Sequence, residues 1–372
     1  MKTVCDINKC SGCMACIDIC PKNAITILDD LSTYNAMINE KKCISCNACH
    51  GVCPNDHPLK TLSPINWKQG WAEDEELRAT CSSGGFATEI ARAFIQSGGV
   101  VCSCTFFDGK FVFGFADKVT EVKKFTGSKY VKSNPIGSYK QTKIKLLDGN
   151  KVLFIGLPCQ VAALKNYIGD KLCNNLYTID LICHGTPSPK LLNLFLKQYG
   201  LSLKDLQEIH FRKKAKFQVY GDHKGIITNG VSDRYSIAFL NGLTYTENCY
   251  ICPYAKKERV SDLTLGDSWG SNLPQEECKK GISLALIQTE KGEWLLNLAA
   301  LCLKDVDLDN AVSHNHQLEY PSKMPGVRVA FFNRIKYHRF NLLVFQALPK
   351  ASLRQDIKHF LIKMKLYRDI KL

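Results

Sequence analysis

Eight cysteines near the N-terminus fall into two copies of one pattern. Cys10, Cys13, Cys16 and Cys20 precede Pro21, and Cys43, Cys46, Cys49 and Cys53 precede Pro54. Both copies read C-x2-C-x2-C-x3-C-P, and each cysteine lies 33 residues (43 − 10) before its counterpart. Three thiolates two residues apart can wrap three corners of an iron–sulfur cubane, and the fourth corner must be filled from further away. Cys10, Cys13 and Cys16 would therefore take Cys53, and Cys43, Cys46 and Cys49 would take Cys20. The proline after each fourth cysteine turns the chain away and removes an amide that would need a partner. A pair of zinc sites fits less well, because zinc prefers two separated C-x-x-C pairs. Two 4Fe-4S clusters imply one-electron traffic. Cys5 lies outside the pattern and receives no role.

A second constellation is Cys159, Cys183, Cys249 and Cys252. The first two follow predicted strands directly, where α/β sheets place ligand groups, and the last two form a C-x-x-C-P pair. These four suit a third 4Fe-4S cluster; a zinc site or unrelated buried thiols are the alternatives. Ser82-Ser83-Gly84-Gly85 opens a predicted helix, either as a phosphate cradle or as a capped turn. Asp180, His184 and Asp267 stand near predicted strand ends as candidate acids, bases or hydrogen-bond partners.

The elements that must position these residues are readable in outline. Ala24–Ile27 and Ala36–Ile38 read as short strands within a module spanning 1–63. A linker with Pro58, Pro64 and Trp67 to Trp71 follows, then a short helix over Glu73–Leu77. Apolar residues Phe86, Ile90, Ala91, Phe94 and Ile95 predict a helix stopped at Gly98-Gly99. Val100–Phe107 and Phe111–Phe115 flank Asp108-Gly109, a hairpin signal. Lys151–Ile155 reads as a buried strand, turning through Gly156-Leu157-Pro158 into a helix over Val161–Tyr167. Tyr177–Ile182 is a further strand, and a helix follows Pro189. Ile226-Ile227, Ser236–Leu240 and Leu263–Leu265 read as strands, and Trp294–Leu303 as a helix.

Composition limits the reading. The chain has 372 residues, 45% hydrophobic content and 19 cysteines. Thiols clustered at metal spacing suit a reducing cytoplasm rather than a disulfide framework. The N-terminus does not resemble a signal peptide, and no apolar run approaches a bilayer span. The net charge is +14, and Lys323–Leu372 carries twelve basic and two acidic residues, +10 of that total. Phe331, Phe332, Ile335, Phe340, Leu342, Leu343, Val344 and Phe345 mix with Arg334, Lys336 and Arg339, and Ile357–Leu366 repeats the texture. Such a tail suits packing on the body, peripheral contact with the inner face of a membrane, or an acidic partner such as a donor ferredoxin. No nucleic-acid recognition module is evident.

Five ordered segments resemble the coenzyme F420 hydrogenase/dehydrogenase beta-subunit family: Cys81–Phe86, Gly127–Ser133, Val152–Leu164, Asp180–Pro189 and Cys249–Gly270. The module in front resembles a bacterial dicluster ferredoxin, a frequent arrangement in that family. The resemblance implies a flavin enzyme holding FAD beside a 4Fe-4S cluster. It implies flavin contacts at Ser82, Ser83, Gly84, Gly85, Ser128, Lys129 and Tyr130, cluster ligation by Cys159, Cys183, Cys249 and Cys252, and His184 and Asp267 as catalytic candidates. Leu157 and Cys81 depart from the family's usual threonine and its usual serine or alanine, without removing a ligand.

The expected architecture is α+β/α/β. It comprises a dicluster module (1–63), a flavin-binding region (64–150), a region with the third cluster and active site (151–325) and a basic helical tail (326–372). The expected activity is ferredoxin-linked FAD-dependent reduction of a small molecule, with surface-polysaccharide precursors favoured. A non-catalytic electron-transfer subunit and a reductase of the deazaflavin coenzyme are the alternatives.

Overall fold

The computed structural model describes residues 2–366. Its N-terminal part is a small antiparallel hairpin, β1 (Ile25–Asp29) and β2 (Tyr34–Ile38), carrying two short helices, Ala15–Ile19 and Ala48–Gly51. Each short helix starts within one cysteine run, so the local turns bring the thiols of that run to one side.

The body is built on one eight-stranded sheet. Its strands are β3 (Asn66–Ala72), β4 (Val100–Phe107), β5 (Lys110–Ala116), β6 (Val152–Gly156), β7 (Leu176–Leu181), β11 (Leu263–Asp267), β12 (Ser283–Ile287) and β13 (Leu301–Lys304). A smaller antiparallel sheet holds β8 (Ile209–Lys213), β9 (Lys216–Gly221) and β10 (Lys224–Gly225). The large sheet runs β13-β3-β12-β11-β7-β6-β4-β5. Its centre, β11, β7, β6 and β4, is parallel, and the flanking pairs are antiparallel. All five residues of β6 are buried, as expected of a strand covered on both faces.

Helices Phe86–Gln96 and Glu290–Leu298 cover one face through Phe86, Ile90, Phe94, Leu295 and Leu296. Helices Ser138–Leu147 and Pro158–Ile168 share the other core cluster with the N-terminal module. Specific bonds fix that docking. The Tyr139 hydroxyl donates to the Cys13 carbonyl (2.7 Å), Lys132 Nζ to the Ser11 carbonyl (2.8 Å), and the Gly137 amide to the Asp18 carboxylate (2.7 Å).

The Asp108-Gly109 hairpin forms as expected, with both residues at positive φ (47° and 68°), the primed-turn geometry. Four expectations need correction. Trp67–Trp71 is strand β3, not linker, and it pairs with β12 and β13, so one sheet crosses the expected division at 150/151. Ser236–Leu240 is the end of a helix (Arg234–Leu240), because the Asp233 carboxylate caps the Ser236 amide at 2.8 Å. Ile226-Ile227 lies outside any strand, after the two-residue β10. Trp294–Leu303 is divided between the end of one helix and β13. A short apolar run carries no period that separates helix from strand, so long-range pairing decided Trp67–Trp71 and Leu301–Leu303 and the Asp233 cap decided Ser236–Leu240.

The C-terminal segment forms helices Arg328–Arg334, Phe340–Ala347 and Pro349–Lys363. Phe331, Ile335, Phe340, Leu343 and Val344 are buried against helices Pro189–Lys197 and Arg234–Leu240. Those five side chains are therefore covered by the body and face no membrane. The remainder of the expected tail, 367–372, lies outside the described residues.

Candidate functional site

The parallel strands end along one edge of the sheet. From that edge β6 delivers Leu157, Pro158 and Cys159, β7 delivers Cys183 and His184, and β11 ends on Asp267. Open α/β sheets bind ligands outside the carboxyl ends of such strands. Two cavities lie there. One, of about 340 Å³, is lined by Cys159, Cys183, Cys249 and Cys252. The other, of about 450 Å³, is lined by Ser82, Ser83, Gly85, Ser128, Lys129, Tyr130 and Asp267. The segment Cys183–Thr186 lines both and forms their common wall.

In the first cavity the thiols are close enough to perturb one another. Burial, then Cys249 and Cys252, push Cys183 up to about 12, and burial and Cys249 push Cys252 to about 11. Cys159 is held far above the ordinary range by burial, with Cys252, Cys183 and Cys13 adding to it. Arg259, 1% exposed, also lines this cavity, and its Nε and Nη2 find no hydrogen-bond partner among the described residues. Its charge is near the buried Asp180 carboxylate, and the two unfilled donors leave room for a further anionic group in this cavity. Among the described residues no three His, Cys, Asp or Glu side chains gather around a single-ion position. A cubane spreads its four thiolates over separate iron corners, a wider arrangement.

The N-terminal cysteines sort into the two expected sets. Cys16 feels Cys13, Cys10 and Cys53, with Cys49 of the other set beyond them. Cys20, Cys43, Cys46 and Cys49 line a separate small cleft. Cys5, given no role from sequence, lies against Cys10 and Cys53; its own thiol is pushed up by hydrogen bonding to both, and Cys10 is lowered to about 7 by the same contact. Lys132, 5% exposed, lies near Cys10, Cys159 and Cys183 at once.

The second cavity is organised by Arg212, which sequence reading missed. Its guanidinium donates to both Asp267 carboxylate oxygens at 2.7 Å, to the Tyr130 hydroxyl at 3.1 Å and to the Ser82 carbonyl. Burial works against its charge, but the Asp267 carboxylate and the Tyr130 hydroxyl outweigh burial and keep it protonated. Asp267 is thus held in a two-pronged ion pair. The Ser128 amide donates to Ser82 Oγ at 2.9 Å, joining the two expected flavin segments directly. Tyr130 stacks on Phe239, ring centroids 4.4 Å apart. Lys129 Nζ donates to the carbonyls of Phe125, Thr126 and Gly127, and burial lowers its pKa. The helix Phe86–Gln96 opens into the cavity with Gly85 at φ 94° and no side-chain cap, leaving its first amides free for an anion. Gly84 has a packing reason as well, since a Cβ there would lie 2.6 Å from the Ser283 amide nitrogen.

His184 accepts at Nδ1 from Gln317 (2.6 Å), which places its proton on Nε2. Burial, reinforced by His316, lowers it to about 4, so the ring is neutral at pH 7. Asp180 is fully buried in β7, away from both cavity linings, and burial raises its carboxyl. Neither Arg212 nor Gln317 carried a sequence signal, because their partners lie 55 to 133 residues away.

Two segments of the chain match known protein families. Residues 9–57 match the 4Fe-4S dicluster domain. Residues 149–307 match the C terminus of the coenzyme F420 hydrogenase/dehydrogenase beta subunit. Among solved structures, a chain of the F420-reducing [NiFe] hydrogenase complex from Methanosarcina barkeri is similar at 16% identity, covering 79% of this chain and 92% of that one, with a TM-score of 0.49. No curated protein matches. Among the described residues no helix is long and apolar enough to cross a membrane. Behind a segment that matches the 4Fe-4S dicluster domain, residues 149–307 thus carry the C-terminal domain described for the coenzyme F420 hydrogenase/dehydrogenase beta subunit.

Proposed function

We propose that this chain is a ferredoxin-linked iron–sulfur flavoprotein oxidoreductase holding three 4Fe-4S clusters and FAD. When bound, these groups supply one-electron relay and its conversion to hydride transfer to a small molecule. The observation that supports the reading is the shared lining: Cys183–Thr186 and Leu157 border both the four-cysteine cavity and the Ser82/Tyr130 cavity.

Each residue set has a physical task. Cys159, Cys183, Cys249 and Cys252 would ligate the third cluster, with Arg259 and Lys132 balancing its negative charge. The free amides after Gly85 and the Ser82, Ser83 and Ser128 loops would receive the flavin's phosphates. Arg212 and Asp267 hold those loops together, so Asp267 acts as a positioning residue. His184, neutral with its proton on Nε2, can donate a hydrogen bond in the cavity it lines. A sugar nucleotide or related surface-polysaccharide precursor as substrate rests on the family resemblance alone.

Anaerobic purification followed by iron, sulfide and flavin analysis tests this. About twelve irons and one flavin per chain are expected. About eight irons without flavin would leave only the dicluster domain loaded and would overturn the reading of the body.

A further inference from the structure

The two N-terminal cysteine sets are not equivalent in their surroundings. Cys10, Cys13, Cys16 and Cys53 are all buried. They face the body: Tyr139 and Lys132 bond the carbonyls of Cys13 and Ser11, and all four pack in one buried cluster with Val161 and Ala162, against which Cys159 also packs. Ser11 and Pro54 themselves line the Cys159/Cys183/Cys249/Cys252 cavity. The other set faces outward. Cys46 is exposed, and Cys20, Cys43 and Cys49 are partly so. Order along a chain of centres follows from this: outer set, inner set, body set.

The surface over the outer set has a distinct character. Ile44 is 56% exposed at its centre. Lys2, Lys22, Lys41 and Lys42 are all exposed, and Glu40 is the acidic residue in the same stretch. Among the described residues no ion pair engages these four lysines, and His50 nearby is paired with Asp56 at 2.7 Å. An apolar centre ringed by free cations suits a partner with an apolar patch ringed by carboxylates. The basic helices Phe340–Ala347 and Pro349–Lys363 lack the second requirement, proximity to a redox centre. They pack with helices Pro189–Lys197 and Arg234–Leu240, in a core cluster that contains none of the twelve candidate ligand cysteines.

We propose that the Ile44 surface is the docking face for a small acidic one-electron carrier protein of the ferredoxin type, with the Cys20/Cys43/Cys46/Cys49 set as the port. The proposal rests on the cluster assignment above. In the step itself one electron leaves the reduced carrier and one enters the outer centre; no bond forms or breaks.

The test uses anaerobically prepared holoprotein and an acidic bacterial 2×[4Fe-4S] ferredoxin. Three proteins are compared: wild type, Lys41→Glu/Lys42→Glu, and a tail control, Lys350→Glu/Lys363→Glu. Binding is measured by calorimetry at low and at about 0.15 M salt, where screening acts over about 8 Å. Zero-length carbodiimide cross-links are mapped by mass spectrometry. The expected result is an affinity loss of about tenfold or more in the Lys41/Lys42 variant, a flattened salt dependence, and wild-type cross-links at Lys22, Lys41 or Lys42. The tail control should bind like wild type. Loss of binding in the tail control alone, or cross-links confined to the tail, would overturn the proposal, as would no binding at all. Iron analysis separates the two levels: a module without about eight irons would sink the cluster assignment, whereas a loaded module indifferent to charge reversal would sink only the docking face.

Discussion

Arg212→Ala removes the side chain that ties three distant segments to one centre. Arg212 makes two 2.7 Å bonds to Asp267, one 3.1 Å bond to Tyr130 and bonds to the Ser82 carbonyl. Its side chain is 3% exposed and that of Asp267 is 22% exposed. Truncation leaves a carboxylate and a carbonyl in a largely dry pocket without their donor. Breaking such a pair costs about 3–5 kcal/mol. Water can reach Asp267 in part, which offsets some of the cost, so a loss of about 3 kcal/mol is expected. Anaerobic urea unfolding of wild type, Arg212→Ala, Asp267→Ala and the double variant reads this as shifted midpoints at unchanged slope. The cycle should give a coupling of about 2 kcal/mol. Arg212→Lys keeps the charge but loses the planar fork, and should recover less than half of the loss. A loss below about 1 kcal/mol in Arg212→Ala, or additive single variants, would refute the role of Arg212 as the centre of the cavity.

Two further outcomes follow from particular positions. Gly185 sits at φ 140°, and a Cβ there would run into the Tyr245 ring. Gly185→Ala should therefore cost about 1–3 kcal/mol and displace the Cys183-His184 wall, lowering iron by about four per chain while the dicluster signals persist in electron paramagnetic resonance; unchanged iron and stability would count against the wall. Burial lowers Lys214 to about 8 from its ordinary 10.5, while its ammonium donates to the carbonyls of Arg78 and Ser83. Between about pH 8 and 10.5 the unfolded chain then binds more proton at this site than the folded one, so stability rises with pH across that window. Lys214→Met should flatten the rise between pH 8 and 9.5, and an identical slope in both proteins would exclude Lys214 as its source.

Much of the local order was legible. The cysteine runs declare their chemistry by spacing alone, because three thiolates two residues apart reach one cubane whatever the rest of the chain does. Asp108-Gly109 and the Leu157–Pro158 turn announce a hairpin and a strand-to-helix switch through backbone preferences confined to a few residues. The residues Ser82, Ser128, Tyr130 and Asp267 could be nominated as separate motifs. Their convergence on one cavity could not, because the groups that join them act across 46 to 130 residues.

The tertiary structure decided the rest. Trp67–Trp71 looks like linker until β12 and β13 offer it two pairing partners. Which apolar residues of the C-terminal segment join the core is decided only by packing: Phe331, Phe340 and Val344 are buried in the body, whereas Leu342, Phe345 and Phe360 stay exposed. Above all, which cysteine set faces inward is undetermined by two identical spacings. The sequence by itself determined what each cysteine run can bind, since ligand reach is a local property of the chain. Only the packing of Tyr139 and Lys132 against the first run decided its neighbours, since burial and proximity are properties of the assembled fold.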